Sequence, residues 1–144
     1  MIVVESRPLT EMKTHALTTF PDECCGFLYG NEQSDSRVIS KIWKVDNSKS
    51  GDKKRRFEIS GKDYMLAEKF ALENEVLLLG IYHSHPNHPA IPSEHDRVAA
   101  LPYFSYIILS VKDGTIDHAR SWRLNDVSQF EEEIFTPAHL NQSI

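Results

Sequence analysis

Apolar residues recur along this chain with two periods, and turn-forming residues fall where one period gives way to the other. "MIVVE" reads as a short strand. In "LTEMKTHALTTF", Leu9, Met12, Ala16 and Phe20 stand at helical spacing until Pro21 ends the run. "ECCGFLYG", an apolar run bounded by Pro21-Asp22 and Gly30-Asn31, predicts a buried strand. "RVISKIWKVD", β-branched and aromatic, predicts the next. "NSKSGDKKRR" is polar and charged and predicts a mobile loop, followed by a short strand at "FEIS". Ser60, with Asp63 three residues on, is placed to cap a helix through "KDYMLAEKFALEN". "EVLLLGIYHSH" is the most apolar strand and is expected at the centre of a sheet, buried on both faces. "YFSYIILSVK" and "TIDHARSWRL" predict a hairpin turning at Asp113-Gly114, and "QFEEEIF" a last strand or a short helix. Strands with interspersed helices predict one α/β domain over residues 1–144, a mixed sheet flanked by helices.

Composition narrows the function classes. A net charge of −5 and a pI near 5.8 argue against general nucleic-acid binding. The "KKRR" run is a solvated loop or a surface that steers an acidic partner protein. No apolar run approaches the roughly 18 residues of a membrane span. The N-terminus lacks the basic region of a signal peptide. The two cysteines, Cys24 and Cys25, are adjacent, which suits neither a disulfide nor a cysteine zinc site and fits a reducing cytoplasm. They read as small buried hydrophobes, and Trp43 and Trp122 as sheet-packing aromatics.

Candidate chemistry is concentrated in "YHSHPNHPAIPSEHD", residues 82 to 96. Side chains two apart on a strand share a face, so His83 and His85 project together from the end of a buried strand. Pro86, Pro89 and Pro92 force an irregular loop, after which Ser93 is the natural N-cap of a short helix in "EHDRVAALP". Ser93 and Asp96 are spaced as a variant capping box. An aspartate reaches back less well than glutamate, which leaves Asp96 freer to approach the histidines. A His, His, Asp set leaves the fourth tetrahedral position to water, the arrangement of catalytic zinc. Such chemistry also needs a proton carrier, for which Glu23, Glu58, Glu75 and Glu94 are the candidates. Glu94 is expected to face solvent. Glu23 opens a buried strand just after Pro-Asp, an odd place for a carboxylate unless it faces a cleft, and so leads modestly.

The spacing H-x-H-x7-S-x2-D, filled by His83, His85, Ser93 and Asp96, resembles the motif of the JAMM (MPN+) metalloproteases. "FPDECCGFLYG" resembles the upstream strand that carries that family's catalytic glutamate, which falls on Glu23. "RRFEIS", "SYIILSV" and "SWRL" are similar to short bacterial and archaeal members. The resemblance implies an MPN fold with a layering like that of cytidine deaminases. It also implies a zinc hydrolase of peptide or isopeptide bonds, with His83, His85 and Asp96 on zinc. Glu23 would serve as general base and then acid, and Ser93 would donate a hydrogen bond to the developing oxyanion. The substrate-gripping insertions of eukaryotic deubiquitinases are missing or short. The implied partner is therefore a small ubiquitin-like sulfur-carrier protein ending in Gly-Gly, cut to release an attached amino acid or extension. The alternative within the fold is a non-catalytic protein-binding scaffold.

Other zinc motifs fit less well. "HSHPNH" has Asn87 where the H-x-H-x-D-H of metallo-β-lactamase-type hydrolases has aspartate. The H-x-E and P-C-x-x-C of nucleoside deaminases do not occur. His88 and His95 read as loop and helix-surface residues with room for a supporting role. His15, His118 and His139 carry no signal.

Overall fold

The structure, a computed structural model, describes residues 1–138; His139 lies outside them. Its strands are β1 (Ile2–Val4), β2 (Cys25–Gln33), β3 (Ser36–Val45), β4 (Leu77–Pro86), β5 (Ser105–Lys112), β6 (Thr115–Leu124), β7 (Phe130–Glu133) and β8 (Phe135–Pro137). The helices are α1 (Ser6–Thr19), α2 (Gly61–Glu73) and α3 (Glu94–Ala99). The eight strands form one mixed sheet in the order β7-β6-β5-β4-β2-β3-β1-β8. Only Ile134 separates β7 from β8, so the chain joins the two ends of that order and the sheet has to curl.

β4 occupies the centre, antiparallel to β2 and parallel to β5. Its burial from Leu79 onward explains the continuous apolar run. Gly80 allows the β4–β5 pairing to begin, because a Cβ there would collide with the Ser105 carbonyl. Adjacent residues of β4 feed different cores. Leu79 and Tyr82 join Met12 and Ala16 of α1, whereas Ile81 joins Ala67 and Ala71 of α2 with Phe27 and Tyr106. Ser60 caps α2 by accepting the Asp63 N–H at 3.1 Å, as its spacing predicts. Asp113 and Gly114 both have positive φ, 52° and 81°, as a type I′ hairpin turn requires.

Several expectations need correction. β2 does not stop at Gly30 but runs on to Gln33, and the turn lies at Ser34-Asp35. Gly30 instead sits at a register shift against β3, where a Cβ would strike the Val38 carbonyl. "FEIS" forms no strand. Its backbone is held by the β3–α2 loop, with Glu58 N–H donating to Asn47 Oδ1 at 3.1 Å and the Glu58 carbonyl accepting Ser48 N–H at 2.9 Å. α1 starts at Ser6, earlier than its apolar spacing predicts, because Pro8 is tolerated in a first turn. "QFEEEIF" yields β7 and the start of a separate strand, β8.

Candidate active site

His83 and His85 end the buried run of β4 with side chains 1% and 2% exposed, their ring centroids 5.1 Å apart. Ser84 between them has the opposite orientation on the pleat. Its Oγ accepts the Cys24 N–H at 2.8 Å and its own N–H donates to the Cys24 carbonyl at 3.2 Å. This double link holds the segment before β2 against β4 and brings Glu23 into the site. Glu23 is 2% exposed, with Oε1 3.6 Å from His83 Nδ1.

The β3–α2 loop fixes Glu23 from the other side. Its N–H donates to the Lys53 carbonyl at 2.7 Å, and its carbonyl accepts from Asn47 Nδ2 at 3.1 Å. Asn47 Nδ2 also donates to the Arg56 carbonyl at 3.0 Å, while Asn47 Oδ1 accepts the N–H groups of Lys49 and Glu58. One asparagine thus organises the loop that carries the basic residues 53–56. Phe57, which follows them, stacks on His83 with centroids 4.5 Å apart.

Asp96 enters from α3. Its Oδ2 lies 3.3 Å from His85 Nε2, and its Oδ1 lies 3.9 Å from His83 Nε2. The capping box is also complete. Ser93 Oγ accepts Asp96 N–H at 3.0 Å, and Asp96 Oδ2 accepts Ser93 N–H at 2.9 Å. The expectation that aspartate is too short to reach back is therefore incorrect. A carboxylate has about four lone-pair sites, enough to close the cap and face both imidazoles. Ser93 Oγ accepts at the cap and keeps its own proton to donate elsewhere.

These contacts have electrostatic consequences. Burial pushes the His83 imidazole pKa down, but the Asp96 charge and the Glu23 carboxylate outweigh it and raise the value. Burial pushes Asp96 up, and His83, His85 and the Ser93 N–H together hold it below the ordinary carboxylate range. His85 Nδ1 donates to the Pro89 carbonyl at 2.7 Å, which orients the ring with Nε2 toward Asp96. Nε2 and the carboxylate oxygen, 3.3 Å apart, are held together by a proton or a cation between them.

Glu23 Oε1 and His83 Nδ1 are both buried without a hydrogen-bond partner. Such orphaned polar atoms are rare in folded interiors and call for an unseen partner. Two overlapping sets of donors are present. One ligand atom each from Glu23, His83 and His85 lie within 4.8 Å of one another. Asp96 lies 3.3 and 3.9 Å from the two imidazoles, nearer the roughly 3.4 Å that separates ligand atoms around tetrahedral zinc. Two imidazoles and a carboxylate suit that ion, so the residues fit a metal.

The model of prokaryotic homologs of the JAB domain matches residues 6–125. The chain belongs to this JAB family. Proteins named CysO-cysteine peptidase from Mycobacterium tuberculosis and Mycobacterium bovis are 31% identical to this JAB chain over 137 residues, covering 93% of it and 90% of their own length. A solution structure of a Desulfitobacterium hafniense protein superposes with TM-score 0.84 at 27% identity, covering 99% of this chain and 97% of its own. One from Salinibacter ruber gives 0.72 at 31%, covering 96% and 92%. A JAB1/MPN domain protein from Archaeoglobus fulgidus, at 16% identity with TM-score 0.60, covers 96% and 98% and shares the fold.

The JAB fold thus brings Glu23, His83, His85, Ser93 and Asp96 to one place. It leaves the other carboxylates out of the cluster. Glu58 pairs with Lys49 at 3.1 Å, Glu75 lies exposed after α2, and Glu94 is exposed and paired with Arg97. His88 stacks on His85 at 4.2 Å, and His95 lines the neighbouring cavity. Both cysteines are buried and free. Burial pushes the Cys24 thiol up to about 12 and the Cys25 thiol also up, which keeps them unreactive. Ser84, Asn47 and Phe57 carry no signal in the sequence, because their bonding or stacking partners lie far away along the chain. Among the described residues no helix is long and apolar enough to cross a membrane.

Proposed function

We propose that this chain is a zinc-dependent peptidase that cuts after the Gly-Gly end of a ubiquitin-like sulfur-carrier protein, releasing an attached amino acid or short extension. The observation that carries the chemistry is the unpartnered, buried Glu23 Oε1 beside an imidazole already facing Asp96. His83, His85 and Asp96 would hold the ion, which when bound supplies a Lewis acid that polarises the scissile carbonyl and acidifies water at the site. Glu23 takes a proton from the attacking water and returns it to the departing amine, as a buried carboxylate without another partner is free to do. Ser93 donates its free hydroxyl proton to the oxygen on which charge develops, while its lone pair stays engaged by Asp96 N–H.

The substrate side of the proposal rests on the family resemblance and on the mycobacterial relatives named CysO-cysteine peptidase. Glycines suit a narrow cleft because their backbone approaches most closely. The exposed basic residues Lys53, Lys54 and Arg55 lie on the loop whose carbonyl holds Glu23, near enough to dock an acidic carrier beside the site. Mass spectrometry of a Gly-Gly carrier with a C-terminal extension tests this. The mature Gly-Gly end should appear with wild type, and little cutting of folded ubiquitin dimers is expected. An intact carrier beside rapid cutting of ubiquitin would overturn the substrate class while leaving the hydrolytic chemistry in place.

A further inference from the structure

A cavity of about 370 Å³ shares its wall with the site, since His83 and Asp96 line it. The rest of its lining is mainly apolar, from Phe57, Ile59, Tyr64, Ile81, Ala99 and Tyr106, with Glu58 and His95 adding a carboxylate and an imidazole. The proposed chemistry uses only the wall formed by His83 and Asp96 and leaves the apolar part of this space unassigned. We propose that it binds the apolar side chain of the residue that departs from the Gly-Gly end, and so selects carriers that end in a bulky apolar residue. This rests on the carrier reading above.

The occupant follows from which side of the bond has a side chain to offer. Two glycines on the acyl side present none, so a pocket beside the cleaved bond is left for the leaving residue. Size then decides the class. An engineered cavity of about 150 Å³ lined by aliphatic and aromatic groups stays dry and takes up benzene. The larger space here holds a phenyl or branched aliphatic group with room to enter. A cysteine side chain, for which the mycobacterial relatives are named, would leave most of it empty.

The walls are also held in advance. Tyr106 Oη accepts the Leu101 N–H at 2.6 Å, and its ring meets Phe130 edge-on at 5.7 Å. Tyr64 meets Phe27 edge-on at 5.4 Å, and Phe57 is stacked on His83. Rings already fixed lose little freedom when a ligand arrives. No lysine or arginine lines the cavity, which disfavours an acidic side chain there. Ala99 is exposed at the rim, three residues beyond Asp96 and on the same side of α3.

The test uses the full zinc-loaded chain and carriers ending in Gly-Gly followed by Phe, Leu, Ala or Asp. The Phe and Leu forms should be cut with kcat/KM at least about tenfold above the Ala and Asp forms. Ala99→Phe, which fills the rim without adding a polar group, should collapse that ratio. Equal rates for all four carriers would overturn the pocket while the hydrolase reading stands. If no carrier is cut, that reading fails, and the pocket is judged by titrating phenylalaninamide and alaninamide while following amide resonances of Ile59, Tyr64 and Tyr106. Saturable shifts with phenylalaninamide alone support the pocket, and their absence overturns it.

Discussion

Two histidines, His15 packed against β4 and His83 within it, lie on opposite faces of the sheet and have opposite fates. On the α1 face, His15 Nδ1 lies 2.7 Å from the Tyr82 hydroxyl, and the rings meet edge-on at 5.8 Å. Burial, followed by the charge of Lys44, lowers its pKa. On the other face His83 is more deeply buried, yet its pKa is raised because Asp96 and Glu23 outweigh the burial. Its Nδ1 has no partner. Burial by itself makes an imidazole neutral and inert. Carboxylates converging on both nitrogens, with one bond left unmade, distinguish a site from a core.

The contrast is broken most severely at Glu23. Glu23→Gln should retain its fold and its metal yet lose about 10²–10⁴-fold in turnover, because glutamine bonds but cannot carry a proton. His15→Ala should leave turnover within about twofold and cost about 1–2 kcal/mol of stability through the orphaned Tyr82 hydroxyl. Steady-state rates and thermal melts of the two variants separate these outcomes. Equal activity losses would mean that the faces do not differ as described.

Next in size is Asp96→Ala, expected to weaken zinc binding by more than about 100-fold in a chelator competition. If zinc binding is unchanged and only the roughly 1 kcal/mol of a helix cap is lost, the contacts with His83 and His85 are incidental.

Much of this site was legible in the sequence because its parts follow local rules. Strand pleating places His83 and His85 on one face, three prolines end the strand environment, and Ser93 announces α3. Glu23 was harder to place, since its position depends on Ser84 and Asn47, partners 60 and 24 residues from the segment they hold. "FEIS" alternates like a strand, but Asn47 and Ser48 take up bonds of Glu58 that a ladder would have made. Gly30-Asn31 has turn composition, and only close packing against Val38 reveals the glycine as part of a bulge.

Titration of the metal-free protein gives a smaller effect. His83, with its pKa raised in the fold, contributes stability that is complete below the unfolded value of 6.5 and is lost as pH rises through the folded value. Asp96 behaves oppositely, contributing above the ordinary 3.8 and losing that contribution as pH falls toward its lowered folded value. Chelator-treated wild type should therefore lose stability between mildly acidic and alkaline pH, and His83→Gln should lose less. A wild-type melt as flat as that of the variant would remove the proposed pairing. The smallest effect concerns Lys53, Lys54 and Arg55, which are exposed at the loop beside Glu23. Raising the salt concentration should slow carrier cleavage by about threefold through screening, with less change in the triple alanine variant.

The central claim, that the α2-side face of β4 holds one ion between His83, His85 and Asp96 with Glu23 beside it, is tested most directly by elemental analysis. Protein made in metal-replete medium should carry about one zinc per chain. Glu23→Gln should retain that zinc, whereas His83→Ala and His85→Ala should lose it. No tightly held metal in wild type, with both histidine variants behaving like it, would contradict the claim.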